Sequence, residues 1–242
     1  MDTEHQKTVF AIHTGFAVVE MLNRQFKEQL PGVRIVNIVD DSLLPDVRAA
    51  GHLTPSVIRR IVGYAELAQS AGADAIFNCC SSVGEAADLA RRVVDIPVVK
   101  IDEKMAEEAV ARGKTVAIVA TVGTTLDPTA RLIEKKAHDH GKLIEITRHL
   151  VEGAFDALIA GDAEKHDQMV TSEIERAAKS ADVVVLAQAS MSGLLGRLEG
   201  KLPVPVLSSP QTGLQELKRV LQERTDRGVS RSAEERGITV DS

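Results

Sequence analysis

The chain has 242 residues, of which 44% are hydrophobic, 2% are aromatic and none is Trp, and its formal net charge is −6 at pH 7. This composition supplies apolar side chains for two modest cores, and it excludes the basic, aromatic-rich surface typical of a nucleic-acid-binding protein. No apolar stretch approaches the ~20 residues of a membrane span, so we expect no membrane partner. The polar start does not resemble a signal peptide, and the adjacent Cys79 and Cys80 are poorly placed for a disulfide. We therefore expect a cytoplasmic protein.

Short runs rich in Val and Ile alternate with amphipathic segments along the chain. In chain order, the predicted strands cover residues 8–13, 34–39, 75–78, 98–101, 115–120, 143–147, 183–187 and 204–207. The predicted helices cover residues 16–29, 55–71, 82–94, 104–112, 128–140, 163–179 and 214–223. The strands lack strict apolar–polar alternation, which is typical of parallel strands that helices cover on both faces. The pattern predicts an α/β fold with three layers and right-handed crossovers.

The sequence repeats itself imperfectly at an offset of about 108 residues. Residues 9–14 (VFAIHT) resemble residues 116–121 (VAIVAT), residues 73–80 lie opposite 181–188, and residues 96–99 lie opposite 204–207. Several segments at one offset indicate a duplication, so we expect two similar lobes with parallel sheets, related by a pseudo-twofold axis, and an active site in the cleft between them.

The duplication also predicts the domain organisation. The first lobe covers residues 1–102 and the second covers residues 103–223, while residues 224–242 form a polar tail. The predicted helix at residues 214–223 follows the last strand of the second copy. In two-lobed α/β proteins such a closing helix often packs on the other lobe, so this helix could pack on the first lobe.

Ligands of parallel α/β sheets bind outside the carboxyl ends of the strands, so the residues that follow each strand matter most. These loops are rich in small and hydroxylated residues that leave backbone N–H groups free at helix N-termini, an arrangement that suits a carboxylate. The candidate substrate-binding residues are Thr14, Ser81, Ser82, Thr121, Gly123, Thr124, Gln188, Ala189 and Ser190.

The sharpest local signal is the segment that begins at Cys80. Ser82 and Glu85 have the S-x-x-E spacing of a capping box, which predicts a helix that starts just after the cysteine pair. The positive end of that helix would lower the pKa of the Cys80 thiol and favour the thiolate, which acts as a base or a nucleophile. The alternative is a small buried apolar side chain, and we keep that interpretation for Cys79 because neighbouring strand residues point in opposite directions.

His13 ends the first predicted strand and is a candidate second acid or base. A histidine at a strand end is also common as a structural residue. The sequence is consistent with both interpretations.

The duplication, the strand–Cys–Ser loop and the stretch Val-Ala-Ile-Val-Ala-Thr-Val-Gly-Thr-Thr resemble the aspartate/glutamate/hydantoin racemase superfamily, which also includes maleate isomerase and arylmalonate decarboxylase. The resemblance covers residues 8–223. It implies two similar α/β lobes that hold a substrate carboxylate between them, without a cofactor or a metal. Racemases of this superfamily carry one cysteine in each lobe, and Cys80 stands where the first is expected.

The chain departs from that pattern at the second cysteine, because Gln188 stands in its position. A neutral amide neither takes up nor delivers a proton near neutral pH, so the pair Cys80 and Gln188 cannot perform two-base racemisation. Cys80 could be the sole proton-transfer group, as in a one-cysteine decarboxylase or a same-face proton transfer. It could instead add to an activated double bond, as in cis–trans isomerases, or His13 could replace the missing partner.

The sequence thus predicts a cofactor-independent, racemase-like isomerase that acts on a small carboxylate with Cys80 as its catalytic thiol. A decarboxylase or another lyase is the alternative reaction class. A non-catalytic small-molecule-binding protein that kept the cleft is the alternative from outside enzymes. We also expect the protein to form a homo-oligomer.

Overall fold

Two four-stranded parallel sheets form the framework of the protein. The computed structural model describes residues 6–198 and 200–234. The first sheet has the order β2-β1-β3-β4 and the second has the order β6-β5-β7-β8, with every adjacent pair parallel. The strands are β1 Thr8–His13, β2 Arg34–Val39, β3 Ala75–Asn78, β4 Val98–Lys100, β5 Thr115–Ala120, β6 Glu145–Leu150, β7 Val183–Leu186 and β8 Val206–Ser208.

Helices cover both faces of each sheet. They are α1 Val19–Gln29, α2 Leu43–Ala50, α3 Pro55–Ser70, α4 Gly84–Ala90, α5 Glu103–Arg112, α6 Leu126–Asp139, α7 Ala154–Ile159, α8 Ala163–Ala177, α9 Leu195–Leu198 and α10 Ser209–Glu234. Short 3₁₀ turns at Ser81–Val83, Gly123–Thr125 and Ala189–Leu194 precede α4, α6 and α9. The predicted α/β fold with two similar parallel-sheet lobes is confirmed. Within the described residues, no helix is long and apolar enough to cross a membrane.

Each sheet separates two apolar clusters, because strands buried on both faces send alternate side chains to opposite sides. In the first sheet, Phe10 and Ile12 pack on one side and Val9 and Ala11 on the other. In the second sheet, alternate residues of β5 divide in the same way between two clusters.

Several element boundaries differ from the prediction. The strand expected at residues 143–147 lies at Glu145–Leu150. Its pairing with β5 begins at Glu145, opposite Thr115, so Leu143 stays outside the strand and is 94% exposed. Helices α2 and α7 were not predicted, since each is too short to show a clear helical period. The helix expected at residues 82–94 divides into a 3₁₀ turn and the seven-residue α4.

The last helix is longer than predicted at both ends. It starts at Ser209 rather than at residue 214, and it continues to Glu234, which corrects the expected helix end at residue 223. The first eleven residues of the predicted polar tail (224–234) are therefore helical, while residues 235–242 lie outside the described residues.

Each copy of the repeat is followed by a closing helix, α5 after the first and α10 after the second, and each of these helices packs on the lobe of the other copy. Helix α5 buries Met105, Ala109 and Val110 against strands of the second sheet. Helix α10 buries Leu214 and Leu217 against the first sheet. The chain therefore crosses between the lobes after each copy of the repeat.

Helix α10 approaches the first lobe very closely at Gly213. A Cβ atom added there would lie 2.4 Å from the carbonyl oxygen of Ile101, a backbone atom that cannot move independently. Gly63, in the middle of α3, has no neighbouring atom within 4 Å of the same added position. The two glycines therefore form a matched pair for testing how α10 is seated.

We expect Gly213→Ala to lower the free energy of unfolding by about 1–3 kcal/mol, because the methyl group forces α10 away from the first lobe. Gly63→Ala should leave stability unchanged or raise it by about 0.5–1 kcal/mol, since alanine favours a helix interior over glycine. Thermal unfolding of the two variants beside the native chain measures both effects. Equal melting temperatures for the two variants would show that α10 does not pack as described.

Candidate functional site

The carboxyl ends of both sheets enclose a small cavity, which we call the inner cavity. Its volume is about 100 Å³. It is lined by His13, Thr14, Gly15, Ala17, Val18, Leu44, Cys79, Cys80, Ser81, Ser82, Ile101, Val122, Thr125, Phe155, Ala187, Gln188, Ala189, Ser190 and Ser209. Asp, Glu, Lys and Arg are all missing from this set of described lining residues. A ligand there meets hydroxyl, thiol, imidazole and amide groups set in an apolar wall.

A wider opening between the lobes, the outer cleft, adjoins the inner cavity. It has a volume of about 660 Å³, and Ser82, Val122 and Phe155 line both spaces. Charged side chains surround the outer cleft, among them Arg48, Glu85, Asp127, Arg131, Glu152 and Asp156. A molecule that reaches the inner cavity by this route passes from a charged entrance to a neutral interior.

Cys80 lies at the junction between β3 and the 3₁₀ turn that follows it. Its backbone is extended, with φ −140° and ψ 122°, and its side chain is partly buried. Burial raises the pKa of the Cys80 thiol, against hydrogen bonds from the Thr14 side chain and from the backbone and side chain of Ser82 that lower it. Cys80 is therefore a protonated thiol near neutral pH.

This geometry corrects two expectations about Cys80. The predicted capping box of Ser82 and Glu85 does not form, since α4 begins at Gly84 without a side-chain cap and Glu85 instead pairs with Arg131 of the second lobe at 2.6 Å. The predicted lowering of the thiol pKa is also wrong, because the loss of solvation outweighs the nearby donors.

Cys79 faces the opposite side of the first sheet. It packs with Phe77 and Val99 in one apolar cluster, whereas Cys80 packs against the other. Its sulfur lies 3.6 Å from the Phe77 carbonyl oxygen and 3.8 Å from Nε2 of His13. Cys79 touches the inner cavity, but its environment is that of a buried apolar side chain.

Gln188 occupies the place in the second lobe that Cys80 has in the first. Both residues precede a 3₁₀ turn with an extended backbone, Gln188 having φ −143° and ψ 138°. The Gln188 side-chain oxygen Oε1 accepts hydrogen bonds from the backbone N–H of Thr121 at 2.6 Å, the Thr121 hydroxyl at 3.1 Å and the backbone N–H of Val122 at 3.0 Å. Thr121 thus donates to Gln188 as Thr14 donates to Cys80.

This contact changes the predicted role of Thr121. The N–H and hydroxyl groups that we expected to hold a substrate anion are already used by Gln188. The Nε2 amino group is the polar end of Gln188 that stays available to a ligand, and it can only donate.

His13 is almost fully buried, with 1% of its surface exposed. Its Nε2 atom lies 2.9 Å from Oδ1 of Asn37 on β2, and its Nδ1 atom is buried without a hydrogen-bond partner. Burial lowers the pKa of His13, against the Asn37 hydrogen bond that raises it. The ring is therefore neutral near neutral pH.

The other predicted residues divide between the two spaces. Ser81, Ala189 and Ser190 line the inner cavity, and Gly123 and Thr124 line the outer cleft. The Thr124 hydroxyl lies 3.4 Å from the Ser82 hydroxyl, so these two side chains meet across the lobe boundary. The structure thus brings the predicted residues of both lobes to two adjoining spaces.

Sequence reasoning missed several contributors, among them Leu44, Phe155 and Asp102. Leu44 and Phe155 enter the inner cavity from α2 and α7, the two unpredicted helices, and the Arg48 guanidinium of α2 lies 5.4 Å from the centre of the Phe155 ring. Asp102, which is 2% exposed, accepts a hydrogen bond from Ser81, and burial raises its pKa. Asp102 lies two residues after the end of β4, and this place near a strand end was the available signal.

Comparison with known proteins gives one family. The family model described as Asp/Glu/Hydantoin racemase matches residues 8–217. No curated protein sequence matches the chain significantly.

Solved structures share the fold at low sequence identity. A glutamate racemase from Bacillus anthracis is 19% identical with a TM-score of 0.68, over 91% of this chain and 84% of that one. An aspartate racemase from Picrophilus torridus is 16% identical with a TM-score of 0.66, over 89% and 94%. A Gly74Cys mutant of arylmalonate decarboxylase is 16% identical with a TM-score of 0.59, over 89% and 93%. Since the family model spans most of the chain and both lobes, the chain belongs to the Asp/Glu/hydantoin racemase family.

Proposed function

We propose that the protein is a cofactor-independent isomerase of this family that acts on a small carboxylate, with the Cys80 thiol as its proton-transfer group. The observation that carries this proposal is the position of Cys80: a partly buried thiol in a cavity between two lobes, held by Thr14 and Ser82. A thiol in such a site can exchange a proton with the acidic carbon of a bound carboxylate, which is general acid–base catalysis.

Neutral donors bind the carboxylate in this proposal. The described lining of the inner cavity holds no Lys or Arg, so hydroxyl groups and backbone N–H groups must bind the anion by hydrogen bonds. Ser81, Ser82 and Ser190 supply hydroxyls, and the 3₁₀ turns after β3 and β7 supply N–H groups near the cavity. Hydrogen bonds from neutral donors to a charged group are stronger in a low-dielectric site than in water.

Gln188 orients the substrate and transfers no proton. Its oxygen is held by Thr121 and Val122, so its amino group is the part that can donate to a substrate oxygen. A mechanism with two facing thiols is therefore replaced by one with a thiol and an amide.

A lyase is the second candidate, and the raised pKa of Cys80 favours it. Decarboxylation of an activated carboxylate leaves a carbanion that needs one proton. A thiol that is protonated near neutral pH is suited to donate it. The same residues serve both reactions, so the products distinguish them: an isomer of the substrate, or carbon dioxide and a smaller acid.

We expect Cys80→Ala to lower α-hydrogen exchange by about 10²- to 10⁴-fold, the usual contribution of one acid–base group. Cys79→Ala should keep the exchange rate within about threefold, because its thiol packs in the core. Proton NMR in D₂O with aspartate, glutamate and hydantoins, with product analysis for lost carbon dioxide, measures both variants. Equal loss in the two variants, or full activity of Cys80→Ala, would contradict the assignment, and a native chain that binds these compounds without turnover would support the non-catalytic alternative.

The same thiol gives a pH prediction that needs no substrate. Because burial raises its pKa, Cys80 in the Cys79→Ala protein should react slowly with iodoacetamide at pH 7. The rate should rise with pH to a midpoint above the ordinary thiol value of 9.0. Rapid alkylation at pH 7 would show that the thiolate dominates instead.

Two substitutions of Gln188 separate its role as a hydrogen-bond acceptor from the effect of its being neutral. Gln188→Glu keeps an oxygen for Thr121 and Val122, so the melting temperature should stay close to the native value, while the added negative charge should raise KM for a carboxylate about tenfold, or ~1.4 kcal/mol. Gln188→Leu removes the acceptor and should lower the free energy of unfolding by about 1–3 kcal/mol, because buried donors lose their partner. A Gln188→Leu protein as stable as the native chain would refute this account of the second lobe.

A further inference from the structure

We propose that His13 is the second acid–base group of the site and that Asn37, fixed in turn by Asn23, positions it. This inference rests on the proposed function, since it supplies the partner that Cys80 lacks once Gln188 is excluded. It stands on a hydrogen-bonded chain that runs from α1 through β2 to the end of β1.

The hydrogen bonds from Asn23 through Asn37 favour a proton on the Nε2 atom of the His13 ring. The Asn37 side-chain amino group Nδ2 donates to Oδ1 of Asn23 at 3.1 Å, so Oδ1 of Asn37 is the atom directed at His13. A carboxamide oxygen only accepts, so with both amides oriented in this way the His13 Nε2 atom 2.9 Å away is the N–H donor. In the neutral ring the other nitrogen, Nδ1, then carries a free lone pair and is the basic atom.

The basic atom has no competing partner. Nδ1 of His13 is buried and makes no hydrogen bond, although the ring lines the inner cavity. A buried acceptor without a partner is unfavourable, and this cost is relieved when a ligand supplies a proton to it. The titratable groups beside it are Cys79, 3.8 Å from Nε2, and Cys80 across the cavity lining.

His13 and Cys80 reach the cavity from opposite sides of the first sheet. His13 lies with Cys79 on the side of the cluster that contains Val9 and Ala11, whereas Cys80 packs on the side that contains Phe10 and Ile12. Two proton-transfer groups that approach one carbon from different directions are what inversion requires.

The proton balance of this step closes without a cofactor. Nδ1 of His13 takes the proton from the acidic carbon, and the electrons of the broken C–H bond move into the substrate carboxylate system. The Cys80 S–H bond then breaks, and its proton forms the new C–H bond on the other face. The imidazolium and the thiolate that remain exchange their proton through solvent, which restores the starting forms.

Nitrogen-15 NMR of the labelled native chain tests the arrangement without any substrate. Long-range proton–nitrogen spectra, with His13 assigned by its loss in His13→Gln, should show a proton on Nε2, none on Nδ1 at pH 7, and a titration midpoint below 6.5. Asn37→Leu should leave a mixture of both neutral forms, whereas Asn37→Asp should keep the Nε2 proton and raise the midpoint. A proton on Nδ1 in the native chain would overturn the proposal, even if no tested compound turns over.

Hydrogen exchange with the compounds named above tests the catalytic role. His13→Gln should lose about 10²- to 10⁴-fold in exchange, with alkylation of Cys80 unchanged. Asn37→Leu should lose about tenfold, and Asn37→Asp should recover activity with a pH profile moved upward. The control is His149→Gln, because both ring nitrogens of His149 already have partners, Glu173 at 2.6 Å and Thr147 at 2.9 Å, so its exchange should match the native rate.

The two hypotheses fail in different ways. Native exchange by His13→Gln together with an inactive Cys80→Ala would remove His13 and leave the one-thiol function intact. An active Cys80→Ala would remove the proposed function itself.

Discussion

The absence of charged side chains from the described lining of the inner cavity is the constraint on which the rest of the site depends. The polar groups of Cys80, Gln188 and His13 at the strand ends therefore have neutral partners, and burial is the largest influence on the pKa of Cys80 and of His13. Thr14 serves the Cys80 thiol, Thr121 serves the Gln188 amide, and Asn37 serves the His13 ring. An entering carboxylate would bring the only formal charge to this set, so its binding would change the proton affinity of each neighbour.

The two lobes repeat their backbone more faithfully than their chemistry. The loops that carry Cys80 and Gln188 have nearly the same φ and ψ, and each receives a hydrogen bond from the threonine that follows the first strand of its lobe. One copy presents a thiol, while the other presents an amide whose oxygen already accepts hydrogen bonds from Thr121 and Val122. The two lobes therefore differ in chemistry at matched backbone positions.

The sequence predicted the bounds of β1, β3 and β5 correctly, and these central strands are Val- and Ile-rich runs that are almost entirely buried. It also predicted the bounds of β2, an edge strand that is only partly buried. It failed where local patterns compete with tertiary contacts: Glu85 matches a capping motif but pairs with Arg131. The thiol pKa of Cys80 was predicted in the wrong direction, because local spacing reveals a helix end but not the burial that opposes it. The Asn37–His13 contact joins residues 24 positions apart, and strand pairing rather than spacing brings them together.

The exchange of closing helices has a consequence for how such a chain could arise. Because α5 completes the core of the second lobe and α10 completes that of the first, neither half covers its own sheet completely. A half-length chain that ended after its closing helix would leave that helix and part of its own sheet uncovered when alone. Two identical copies could cover each other by trading helices, as in a domain-swapped homodimer, and gene fusion would then preserve that trade in one polypeptide while freeing each copy to diverge.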